Sequence, residues 1–216
     1  MGNFHQAVDI IDMKRLAVLL LFFCSLPSLS AYNILYAEQF YRLYHDHFHR
    51  YPEDTLENIF YLEKALSSDF CNPLNALAEI ENKREWERYR YLFYMHVNLK
   101  LTELYLTLGS KYDKMEAYFY NYPWKEENIK SLNKAERIYK MSRHYWSEAL
   151  RWSRKLSPSY INLEEIQYWE DENFRIRSKD LDYGSIIDSH LARLDRVRNK
   201  FLEMDLFYCG RRTKIL

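Results

Sequence analysis

Between Tyr89 and Leu108 the chain reads YRYLFYMHVNLKLTELYLTL. Its apolar groups, Tyr89, Leu92, Phe93, Met95, Val97, Leu99, Leu101, Leu104, Leu106 and Leu108, recur at helical intervals but occupy more than one face. A helix that is apolar on nearly every side needs neighbours on several sides, so this stretch is expected to be the central helix of an all-α domain. Sustained alternation of β-branched residues is found nowhere in the chain, and valine is scarce after residue 30.

Outward from that stretch, prolines and caps punctuate the sequence. Pro52, Pro73, Pro123 and Pro158 each separate long proline-free stretches; a proline inside a helix costs about 3 kcal/mol, so these positions mark boundaries. A first helix is expected from Tyr32 to His49 and a second from Asp54-Thr55 onward, with Ile59, Leu62, Ala65 and Leu66 on its apolar face. Asn72-Pro73 reads as an N-cap with proline in the first turn, and the long segment that follows is one helix or two broken near Asn82. Gly109 is expected at the left-handed C-terminal position of the central helix. A short helix over Tyr112–Tyr120, a longer one over Glu126–Leu156 and another from an Asn162/Glu165 capping box to Ser178 follow. After the turn Asp182-Tyr183-Gly184, Ser185 would cap a last amphipathic helix striped by Ile187, Leu191, Leu194, Val197, Phe201, Met204 and Tyr208. The expectation is a bundle or short helical-hairpin solenoid of about six to eight helices, in one domain over residues 31–216 with 159–216 as a peripheral C-terminal pair.

Near the start, Lys14 and Arg15 precede the apolar run Leu16–Cys24 and then Ser25-Leu26-Pro27-Ser28-Leu29-Ser30-Ala31. Charged, apolar and small-residue regions in that order form an export signal, with cleavage expected after Ser30 and Met13 the better start. The run is too short to span a bilayer, which takes about 20 apolar residues. The protein is therefore expected to be exported to the periplasm, touching membrane only through this segment. Cys24 follows Phe22 and Phe23 rather than a small residue, so cleavage without lipidation is the preferred reading. Cys71 and Cys209 remain, and could pair in an oxidising compartment.

Composition narrows the function. Lys+Arg and Asp+Glu are 31 each, which argues against a nucleic-acid-binding surface. Four glycines leave no glycine-rich phosphate loop. Charge is nonetheless segmented, basic over Trp124–Ser157, acidic over Pro158–His190 and basic again over Leu191–Leu216, an order that suits antiparallel helices or neighbouring subunits. His45 and His49 lie one turn apart and are the metal candidates, but a site needs about four ligands and no others are evident nearby. Neither a metal nor another cofactor is expected. Glu164-Glu165 and Glu170-Asp171-Glu172 could supply the paired carboxylates of a glycan hydrolase; no nucleophile or metalloenzyme motif accompanies them, and no catalytic residue is assigned.

The 20 tyrosines say more. A tyrosine prefers a boundary that is apolar on one side and wet on the other, either a helix seam or a protein interface. Tyr91, Tyr94, Tyr118, Tyr120 and Trp124, together with Leu194, Phe201 and Met204 of the last helix, are the candidate protein-binding residues.

Phe60-Tyr61-Leu62-Glu63-Lys64-Ala65-Leu66-Ser67-Ser68-Asp69 resembles the second helix of a tetratricopeptide repeat, and Tyr145-Trp146-Ser147-Glu148-Ala149-Leu150 is similar. Phe70 stands where that repeat usually has proline, Pro158 is displaced, and no regular period of about 34 residues is found. Leu92 to Asn121, with Leu108-Gly109-Ser110-Lys111-Tyr112-Asp113-Lys114 and Ala117-Tyr118-Phe119-Tyr120-Asn121, resembles small exported helical proteins of spirochaetes, some of which belong to the collar of the periplasmic flagellar motor. That resemblance implies a scaffold whose partners are other periplasmic or motor proteins or further copies of itself. The alternative is an envelope-glycan binding protein or hydrolase.

Overall fold

The computed structural model describes residues 33–157 and 163–212, with side chains along the last helix described as far as Met204. The signal segment, Met13, Cys24, Pro158, the Asn162 cap and the side chains of Tyr208 and Cys209 lie outside the described residues. Among the described residues there are six α-helices: α1 (Ala37–Arg50), α2 (Thr55–Ser67), α3 (Lys83–Ser110), α4 (Lys125–Lys155), α5 (Gln167–Ser178) and α6 (Tyr183–Arg212). Short 3-10 turns occupy Pro73–Asn75, Phe119–Trp124 and Glu164–Ile166. No strand forms among the described residues; a single isolated bridge joins Tyr36 to Asp69, where the Ala37 N–H donates to the Asp69 carbonyl. From Leu35 onward the described residues form one compact unit.

α3 is the central element. It starts at Asn82, whose Oδ1 accepts from the Arg84 and Glu85 N–H groups, so the break near Asn82 is real and Asn72-Pro73 opens only the 3-10 turn. Its apolar circumference is covered on several sides: Tyr89, Leu92, Phe93, Met95, Val97, Leu99 and Leu101 are all fully buried. α4 runs antiparallel beside it, as the cross-contacts show. Tyr94 meets Trp152, Tyr105 meets Tyr145, and Ser142 Oγ donates to the Thr102 carbonyl. The α1–α2 hairpin closes through His47 and Asn58, and packs on α3 through Tyr41 and Glu38 from α1 and Glu63 from α2. α6 lies antiparallel on α4, and Leu194, Val197 and Phe201 join Leu132, Ala135 and Tyr139 in a second, smaller core.

Three local expectations are corrected. Residues Tyr112–Tyr120 do not form a helix; only the 3-10 turn Phe119–Trp124 forms there, because Tyr112 and Asp113 finish the end of α3 by donating N–H to the Gly109 carbonyl. Gly109 is not left-handed but helical, and it is required because Tyr139 crosses so closely that an added Cβ would lie 2.4 Å from a ring carbon. The left-handed residue is instead Lys179, at φ 65°, after α5. Finally, α6 starts at Tyr183 with Asp182 accepting from the Ser185 N–H, so Asp182 rather than Ser185 is the cap.

Candidate functional site

Between the end of α3 and the start of α4 the chain places five large side chains in solvent: Met115, Tyr118, Phe119, Tyr120 and Trp124, from 50 % to 78 % exposed. Local hydrogen bonds hold this turn. The Tyr118 N–H donates to Asn121 Oδ1 at 3.0 Å, the Asn121 N–H returns to the Tyr118 carbonyl at 2.9 Å, and Asn128 Nδ2 donates to the Trp124 carbonyl. With the backbone so constrained, the rings arrange themselves on the outside. Tyr118 and Tyr120 stack at 5.2 Å and 6°, and Phe119 meets Tyr120 edge-on. Ala117 and Met204 pack against the second core, and Glu116 pairs with Lys200 of α6, so the turn is anchored at its base.

Of the residues singled out from the sequence, Tyr118, Tyr120 and Trp124 thus come together. Tyr91 and Tyr94 lie elsewhere, half-buried on the α3–α4 seam, where Tyr94 stacks on Trp152 at 4.5 Å and Tyr91 donates to Glu87. Leu194 and Phe201 are not available for docking, because the stripe they belong to is already buried on α4; Met204 at its edge is half-buried. His45 and His49 are exposed, while His47 faces Asn58, Tyr51 and Tyr61. Among the described residues no group of three His, Cys, Asp or Glu side chains could hold a metal ion. The acidic run on α5 divides: Glu170 takes a bidentate pair from Arg88, Glu172 faces His96 and Lys100, and Asp171 is exposed.

That last contact belongs to an array that sequence reasoning missed. His96, 1 % exposed, lies flat on Trp169 and holds Tyr41 Oη at 2.9 Å from Nε2 and Glu172 Oε2 at 2.5 Å from Nδ1. Tyr41 continues to the exposed Tyr168 at 2.8 Å, while Glu172 continues through Lys100 and Glu103 to Tyr183. Burial pushes the His96 imidazole below its usual range against the pull of Glu172. Burial raises the Glu172 carboxyl, but His96 and Lys100 outweigh it and hold the group below the ordinary carboxylate value. A neutral imidazole with Nδ1–H donated to Glu172 accepts the Tyr41 proton at Nε2, so the two ring nitrogens fix the direction of the chain. The sequence signal was available: His96, Lys100 and Glu103 follow one helix face through an otherwise apolar stretch.

The same pairing recurs across the fold. Glu63 accepts from both Tyr105 and Tyr145 at 2.7 Å, Glu38 from Tyr89 and the Cys71 N–H, and Asp113 from Tyr139 and Arg193. Cys71 is buried with no disulfide partner among the described residues, and burial with the neighbouring Glu38 raises its thiol to about 12, which keeps it protonated and unreactive at neutral pH.

Residues 84–204, more than half of the chain, match the family described as Domain of unknown function (DUF8513). The chain belongs to that family. Comparisons with curated proteins and with solved structures gave no match. The DUF8513 segment runs from the first turn of α3 to Met204, and so contains the aromatic turn, His96 and Glu172, whereas Tyr41 and Glu38 are contributed by α1 from outside it.

Proposed function

We propose that this DUF8513 protein is a non-enzymatic, exported scaffold that docks proteins in the periplasm through the aromatic turn at Met115–Trp124. The observation that carries the reading is the concentration of five exposed apolar side chains on one hydrogen-bonded turn. Exposed aromatics on a pre-formed backbone lose little entropy on binding and supply much of the energy at protein interfaces. The Lys14-Arg15 and Leu16–Cys24 pattern supports export, and the likeness of Leu92–Asn121 to spirochaete exported proteins supports a finer reading, a place in the collar of the periplasmic flagellar motor.

Crosslinking and pull-down from the periplasm test it, with the full chain compared with Phe119→Ser/Trp124→Ser. Capture of defined proteins by the parent chain and its loss in the double variant supports the proposal; capture by both disposes of the aromatic turn as the docking surface. Motors of normal appearance in a deletion strain would remove the collar assignment. The flat faces of Phe119 and Trp124 also suit stacking on sugar rings, so retention on purified peptidoglycan, lost in the same variant, would replace a protein partner with an envelope glycan.

A further inference from the structure

The described residues also form a cleft where the first turns of α3 approach the end of α4, lined by Arg84, Glu87, Arg88, Tyr91, Lys155, Leu156 and Ser157. It adjoins a second cleft across Arg88, lined in part by Glu170, Asp171 and Arg177. We propose that the first cleft is a binding site for a small anionic ligand presenting a carboxylate or phosphate group, seated between Arg84 and Lys155 with Tyr91 as its wall.

Three features carry this. Arg88 is a buried guanidinium held rigid at the cleft wall: Nε and Nη2 donate to Glu170 at 2.5 and 2.7 Å, and Nη1 donates to the Ser157 carbonyl at 3.0 Å. A guanidinium has five N–H groups, so one on each terminal nitrogen is not used by these bonds. Within the cleft, Arg88 is paired with Glu170, whereas Arg84 and Lys155 have no carboxylate ion-pair partner among the described residues. With Arg88 balanced by Glu170, Arg84 and Lys155 outnumber the single acid Glu87 in the lining, and the excess positive charge attracts an anion. Lastly, the Lys155 ammonium is positioned rather than free, at 4.0 Å over the Trp152 ring and 5.7 Å over Tyr91. Glu87, the acid in the lining, is engaged by the Tyr91 hydroxyl at 2.9 Å. A compact oxyanion with a flat apolar body matches two cations beside an aromatic face.

The test is nitrogen-edited NMR of the full chain, arginine Nε–H groups included, titrated at constant ionic strength with inorganic phosphate in one arm and citrate in the other. The expected result is saturable shifts at Arg84, Arg88 and Tyr91, with binding weakened about fivefold or more by Arg84→Gln or Lys155→Gln and unchanged by Lys130→Gln on the exposed face of α4. Saturation in the phosphate arm alone assigns a phosphate ligand, and in the citrate arm alone a carboxylate ligand. Shifts that are absent from both arms, or linear and spread over the exposed lysines, or indifferent to Arg84→Gln and Lys155→Gln, overturn the site. The readout does not involve the aromatic turn, so it stands or falls independently of the docking role.

Discussion

Replacing Gly109 by alanine ought to strengthen a helix, and here it is predicted to weaken the protein. Alanine is favoured over glycine in a helix by at most about 1 kcal/mol, less so one residue from the end of α3. Against this, the new Cβ would sit 2.4 Å from Tyr139 Cε1 and 2.7 Å from Cδ1, distances at which something must move. The Tyr139 ring has little freedom to do so. It is fully buried, its hydroxyl bonds Asp113 at 3.0 Å, and its face stacks on His190 at 4.8 Å. Overpacking of this kind costs about 1–3 kcal/mol, so the net expectation is a loss of about 1–2 kcal/mol.

For a domain of this size that corresponds to a Tm lower by roughly 3–6 °C, readable by circular dichroism, with the urea midpoint moving in the same direction. The cause is isolated by repeating the substitution in a Tyr139→Leu background, where the facing ring is gone and Gly109→Ala should become neutral or stabilising. Higher stability of Gly109→Ala in the parent chain would refute the reasoning, because helix propensity would then outweigh the close crossing of α3 and α4.

Leu194→Ala should cost about 2–5 kcal/mol by opening a cavity in the second core, as judged by urea denaturation; protein capture by the folded fraction should persist, since Leu194 is buried against α4. Glu63→Ala should cost about 2 kcal/mol because two tyrosine hydroxyls lose one acceptor, and restoring part of the loss with Tyr105→Phe in a double-mutant cycle would identify that origin. Asn82→Ala should cost about 1 kcal/mol through loss of the α3 cap, measured by the same denaturation. Glu172 has a folded-state pKa held below the ordinary 4.5, so its contribution is present above pH 4.5 and lost as pH falls through the lower folded value. Stability measured between pH 7 and pH 3 should therefore fall less steeply in Glu172→Gln than in the parent chain.

What could be read from the sequence was what is decided locally. The start of α2 at Asp54-Thr55 and the end of α4 near Leu156 depend on neighbours a few residues away and were legible to within a residue or two, whereas the start of α3 at Asn82 was one of two readings, the other running the helix on from Asn72-Pro73. The central position of α3 followed from its apolar circumference. Gly109 was misread because its reason lies 30 positions along the chain, on another helix, and a glycine near a helix end has an ordinary local explanation that competes with it. The helix expected over Tyr112–Tyr120 gives way to tertiary demands: Asp113 is taken by Tyr139 and Arg193, and Glu116 by Lys200. The stripe of α6 was recognised as a docking face, while its object, α4 of the same chain, could not be chosen from the pattern alone. Tyr41, His96 and Glu172 stand 55 and 76 residues apart in their two contacts, and only the packing of α1, α3 and α5 brings them together.

These contacts explain why a small helical domain uses so many tyrosines where leucine would fill the same space. Tyr41, Tyr89, Tyr105, Tyr139, Tyr145 and Tyr183 each place a ring in or against the core and a hydroxyl on a carboxylate or imidazole of a different helix or connecting segment. A leucine seam is indifferent to small rotations or slides of one helix on another, whereas a hydroxyl that must meet a given acceptor is not. The acceptors gain too, since a buried carboxylate without donors would be costly. Inward-facing tyrosines therefore specify helix register, and the six do so across α1, α2, α3, α4 and α6. Tyr118 and Tyr120 have no such acceptor among the described hydrogen bonds beyond the turn itself, and their rings stack on each other in solvent. The division separates rings that set the architecture from rings left for a partner, and it predicts opposite outcomes for the same chemical change: Tyr145→Phe should lower stability and leave capture of partners intact, while Tyr120→Ser should leave stability within about 0.5 kcal/mol and reduce capture.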